Sequence, residues 1–186
     1  HRQLFPLVSE AVGTLVPLED LRWIAFGHIE ADECGSMNQF LAAAPGAQIT
    51  HGALGCMVSL NDMADRPPVP LEDGQVIELG SHRVRHIDTP HVPHGWEARL
   101  IFDETTGTLF CGDLMTQLGE ADPLVDNDVL AAAAVAEDMF GATCLTPATA
   151  PTIRRLADLG ATTLATMHGS AFNGDASAAL NALADS

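Results

Sequence analysis

A layered α/β fold, with a mixed sheet and helices outside it, is predicted by two observations. Short apolar runs bounded by glycine, proline and acidic residues alternate along the chain with longer stretches of helical periodicity. At 186 residues and 47% hydrophobic content, the chain is also long enough for one domain with a real core. A single domain over residues 1–186 is expected, with no internal repeat.

The elements follow in order. Residues 3–16 read as a helix that turns Leu4, Leu7, Val8, Val12 and Leu15 inward. The run 21–26, "LRWIAF", reads as a buried strand. Ser36 is placed to cap a helix carrying Met37, Phe40 and Leu41 on one face and stopped by Pro45 and Gly46. A short strand at 47–50 and a helix at 52–60 come next, then a proline-rich surface connection over 61–74. Strands are predicted at 75–79, 82–88, 97–103 and 108–111, with "DETTG" as the turn between the last two. Helices around 128–140 and 148–159, a strand at 161–167 and an alanine-rich helix from about 174 complete the chain.

Charge and cysteine content narrow the function. The net charge is −17, with 25 acidic residues against 8 arginines and no lysine. So little positive charge argues against nucleic acid or anionic membrane as a partner. Cys34, Cys56, Cys111 and Cys144 form neither a CxxC pair nor a disulfide-like framework, which fits a reducing, cytoplasmic setting. No apolar run approaches the roughly 20 residues of a membrane span.

The stretch "GHIEADECGS" sets His28, Glu30 and Asp32 at alternate positions just after a strand. An extended segment would point all three to one side, whereas a helix would turn Glu30 away. Other strand ends carry matching chemistry: His86, His91 and His94 in "HIDTPHVPHGW", Asp113 in "LFCGDLM" and His168 in "LATMHGSAF". Three histidines and three carboxylates are enough for two metal ions, and an N/O set rich in carboxylate suits iron or manganese, without excluding zinc. His82 and His86 read as structural or surface residues, His1 and His51 receive no role, and Cys34 and Cys111 read as buried thiols rather than ligands.

These spaced motifs, HxExD before Gly-Ser, a histidine after Thr-Pro, a Gly-Asp after a strand and a late His-Gly, together resemble the metallo-β-lactamase superfamily in its flavodiiron and oxygen-binding diiron branch. The resemblance runs from about Leu21 to Phe172, and Glu30, where the hydrolases carry histidine, favours the iron branch. It implies an αββα sandwich with its first strands absent from this sequence. Roughly 40–60 further residues upstream, or a second chain, are expected to cover the sheet there. It also implies that His28, Glu30 and His91 hold one iron, that Asp32 and His168 hold the other, and that Asp113 bridges them. Glu33 stands where many relatives have histidine, so a water or Glu33 itself is expected beside the second metal. Glu33, His94 and Trp96 are expected behind the ligands or lining the pocket.

The function implied is binding or reduction of dioxygen or nitric oxide, with Asp32 and Asp113 as the catalytic carboxylates. With no flavodoxin domain or flavin loop in the sequence, electrons would come from a separate donor, or a sensor's output from a signalling partner; a homo-oligomer is compatible. The alternative is a dinuclear metallohydrolase in which Asp32 orients a bridging hydroxide toward an ester, thioester or amide.

Overall fold

The computed structural model describes residues 1–127 and 129–186 and divides into two units, residues 1–73 and 74–186. The first unit is built on three parallel strands in the order β1 (Trp23–Ile24), β2 (Gln48–Gly52), β3 (Val69–Leu71). Every residue of β2 after Gln48 is buried, as expected of a central parallel strand covered on both faces. The third strand was hidden in the sequence by prolines that suggested a surface connection. Pro70 is tolerated because β3 lies at the sheet edge, where a missing N–H leaves no gap in an inner ladder.

Helix α1 (Phe5–Gly13), preceded by a 3-10 turn at Arg2–Leu4, is shorter than the predicted 3–16. Its apolar face is also not inward: Leu4, Leu7, Val8 and Leu15 are all exposed, and only Val12 is half-buried. The helix is held instead by Phe5, whose ring meets Phe40 edge-on with centroids 4.9 Å apart. A single helical turn, α2 (Ala31–Cys34), precedes α3 (Met37–Ala43), which buries Met37 and Leu41. Ser36 makes no capping bond from its side chain. The far end of α3 is closed by the Arg66 guanidinium, which donates to the carbonyls of Leu41, Ala44 and Pro45. The predicted helix over 52–60 is a continuous helical run of α4 (Ala53–Gly55), a wider π turn (Cys56–Leu60) and α5 (Asn61–Met63). Gly55 is required in it, because a Cβ there would stand 2.5 Å from the His51 ring.

The second unit holds a seven-stranded sheet in the order β4 (Val76–Leu79), β5 (His82–Asp88), β6 (Arg99–Asp103), β7 (Thr108–Phe110), β9 (Thr163–Ala165), β10 (Ala171–Phe172), β8 (Leu124–Val125). The first four form an antiparallel meander; β9 then joins β7 in parallel, with Leu109 opposite Leu164. Helices α6 (Leu130–Phe140), α7 (Thr149–Ala157) and α8 (Ala176–Asp185) complete the unit. The predicted start of α6 at 128 lies outside the described residues. The core joins Leu100, Leu109, Leu114, Leu156, Leu164 and Leu180. Ile153→Val, removing one methylene from this core, is expected to lower unfolding free energy by about 0.5–1.5 kcal/mol in denaturant titration.

At the β6–β7 turn, Asp103 carries a pH-dependent contribution. Burial opposes its ionisation, but His82 at 2.7 Å, the Thr105 N–H and the Thr106 hydroxyl outweigh it, and the carboxyl is held down at about 2, below the ordinary 3.8. Because the folded value is depressed, this stabilisation is fully present above pH 3.8 and is lost as pH falls toward about 2. Asp103→Asn is therefore expected to be less stable than the parent near neutral pH. The difference should close in denaturant titrations run between pH 4 and about 2, and a difference constant across that range would contradict the assignment.

Among the described residues, no helix is long and apolar enough to cross a membrane.

Candidate metal centre

Among the described residues, ligand-type side chains gather in each unit. In the first unit they leave the end of β1. His28 is buried, and its two ring nitrogens face different carboxylates: Nδ1 lies 3.0 Å from Glu33 Oε1, and Nε2 lies 3.6 Å from Glu30 Oε2. Glu33 also accepts the backbone N–H groups of Gly27 and His28, the latter at 3.2 Å. One inward carboxylate, 2% exposed at its side chain, therefore curls the loop and orients the imidazole, directing Nε2 toward the more exposed Glu30.

This fold-back corrects the extended reading of the motif. Glu30 is extended, at φ −128° and ψ 160°, but His28 lies in a bend and Asp32 lies within the turn of α2. The cause is Glu33, since bonding to two backbone groups five and six residues earlier is incompatible with a straight segment. Asp32 is half-buried. Cys34, beside this loop, has its thiol pushed up by burial and by the neighbouring Glu33 charge.

In the second unit the focus is Asp113, in the turn after β7. Its oxygens face two different histidines: Oδ1 lies 3.4 Å from His168 Nε2, and Oδ2 lies 3.6 Å from His94 Nε2. These separations exceed hydrogen-bond length. They match the spacing of donor atoms sharing an ion, because two ligands each about 2.1 Å from a metal and about 90–120° apart lie about 3.0–3.6 Å from one another. The donor set in each unit therefore fits metal binding.

His91 does not face Asp113 in this way. It sits exposed at φ +66°, with its backbone N–H bonded to the Gly95 carbonyl at 2.7 Å, while His94 is half-buried one turn further on. The loop is pinned by the buried Thr89 hydroxyl on the Val92 carbonyl and by the Cys144 N–H on Pro93. Trp96, expected to line a pocket or pack in the core, is 55% exposed. His86 is fully buried between Arg99 and Asp88, and Cys111 is a core thiol whose ionisation burial pushes up to about 12. Glu33 was expected behind the ligands or beside the second metal; its bonds to the Gly27 and His28 backbone and its contact with the His28 ring were not foreseen.

The sequence profile described as "ODP family beta lactamase" matches residues 1–169. "Putative diflavin flavoprotein A 1" of Nostoc sp. (strain PCC 7120) is 26% identical over 177 residues, covering 91% of this chain. The chain spans only 30% of that curated relative's length. Among solved structures, the "peroxy diiron species of chemotaxis sensor ODP" superposes with a TM-score of 0.82 at 19% identity, over 97% of this chain and 77% of the other. Rubredoxin oxygen:oxidoreductase from the anaerobe Desulfovibrio gigas gives a TM-score of 0.76 at 16% identity, over 94% of this chain and 46% of its own.

Proposed function

The chain belongs to the ODP family of beta-lactamase-like proteins and has the fold of a metallo-β-lactamase-like flavodiiron core; on that premise we propose that it is a non-heme diiron protein that binds or reduces dioxygen or nitric oxide. The observation that carries this reading is the donor set, in which carboxylates rather than further imidazoles face His28, His94 and His168. Manganese or zinc could occupy the same atoms.

By the family resemblance, with His94 in the place of His91, His28, Glu30 and His94 would hold one iron, Asp32 and His168 would hold the second, and Asp113 would be shared between them. His94 is preferred to His91 because its Nε2, not that of His91, faces the Asp113 carboxylate. When bound, the iron pair supplies redox chemistry toward the diatomic ligand. The chain's own residues set the stage for it. Glu33 keeps the His28 ring turned so that Nε2 is the ligating atom, and Asp113 offers one oxygen to each side while balancing positive charge. Asp32 and Asp113 are the carboxylates nearest the chemistry. We further propose that residues 1–186 act as one domain in the cytoplasm and hold no flavin. Electrons then come from a separate donor, or the output passes to a signalling partner.

Anaerobic reconstitution with ferrous iron tests the reading. About two irons per chain are expected, with an optical change on admitting oxygen. At most one iron per chain after reconstitution, or strong zinc-dependent hydrolysis with no response of the iron form to oxygen, would overturn it.

A further inference from the structure

Asp113 and His168 stand on separate turns, and the His168 side chain is 42% exposed, so packing around the ring does little to aim it. The backbone beneath it is held from the Asp113 turn. One buried residue next to the Asp113 turn grips that backbone with both its main chain and its side chain. The Gln117 N–H donates to the His168 carbonyl at 3.0 Å, and its side-chain Nε2 lies 3.2 Å from the Ser170 carbonyl. Between these two anchor points, Gly169 adopts φ +97° and lies so close that a Cβ there would stand 2.5 Å from Gln117 Cβ and 3.2 Å from its Cδ. The Met167 N–H on the Gly112 carbonyl, at 3.0 Å, closes the far end of the same junction.

Glutamine is suited to this position by size and by chemistry. Its amide NH₂ donates to a carbonyl, which a glutamate carboxylate or a methionine thioether cannot do, and asparagine is one methylene shorter. We infer that Gln117 is a positioning residue that fixes His168 against Asp113, and with it the second metal position. The inference rests on the proposed ligand set but makes a separate demand of a residue that is not itself a ligand. Second-sphere partners of this kind typically change metal affinity by about 10–100-fold.

Anaerobic titration of the full chain with cobalt(II) alone, followed by its visible absorption, tests this. The parent should take up two equivalents. Gln117→Met, which conserves volume but removes the donor, should bind the first equivalent like the parent and the second at least about tenfold more weakly, with altered bands for the second ion. Gly169→Ala, which forces the same junction apart from the other turn, should reproduce this pattern and decides the matter if Gln117→Met does not fold. Parent-like affinity and spectra for both ions in these variants would overturn the inference. So would equal weakening of both ions together with a lower melting temperature of the metal-free protein, because that is the signature of a structural role alone. A parent that takes up fewer than two equivalents would instead sink the dinuclear reading itself, and the inference with it.

Discussion

Asp113→Asn is expected to release both irons together, leaving well under one per chain after reconstitution conditions that load about two into the parent. The argument is one of charge and of geometry. Each carboxylate oxygen faces a different histidine, and on the proposed ligand set each would serve a different metal ion. An amide keeps the shape but offers one oxygen and one NH₂ group, and the NH₂ has no lone pair to give a metal. The negative charge that balances two cations is removed as well. Elemental analysis after desalting is the measurement, and Asp113→Glu serves as the control that keeps charge while lengthening the side chain. Selective loss of a single iron in Asp113→Asn would show that the carboxylate is terminal rather than bridging.

Arg99→Ala should produce the largest stability change that does not involve the metal ligands, a loss of about 3–5 kcal/mol in unfolding free energy. Arg99 is 1% exposed, and its guanidinium lies 3.3 Å from Nδ1 of His86, which is equally buried. A guanidinium only donates, so Nδ1 must accept, and the proton on Nε2 goes to Asp88 at 2.7 Å. Truncation opens a void and removes the group that fixes this tautomer, while the cost of burying His86 remains. Arg99→Met retains much of the aliphatic stem, so its smaller loss separates packing from the hydrogen bond. Denaturant melts of the two variants, compared with the parent at neutral pH, measure both.

How far the fold could be read from the sequence depended on element length. Strand β5 was found at its observed bounds, 82–88, and β4, β6 and β7 to within two residues, because alternating or continuous apolar runs persist over several residues there. Strands β8 and β10 were missed because each is two residues long and owes its existence to a neighbour. The face of α1 was misjudged for a related reason: periodicity marks an apolar stripe but does not say what it meets. At the proposed site, His28, Glu30, Asp113 and His168 are read from motif spacing alone. Motif spacing does not separate His91 from His94, since both lie in one short loop; in the structure it is the His94 ring that faces Asp113. Glu33 was legible as a departure from a pattern, but its bonds to Gly27 and His28 exist only once the loop has folded back.

The parallel pairing of β7 with β9 bears on when the site can come into being. Leu109 meets Leu164 only after α6, α7 and the whole intervening chain have been made, and Asp113 and His168 lie just beyond those two strands. The antiparallel meander β4 to β7 can zip from neighbouring residues, but this junction must wait for closure of a long loop, a slow and entropically costly step. A growing chain emerging from the ribosome therefore carries Asp113 without its His168 partner until residues 114–168 have also been synthesised. On the proposed assignment, loading of the second iron belongs after synthesis rather than during it, when the strand that brings His168 has docked.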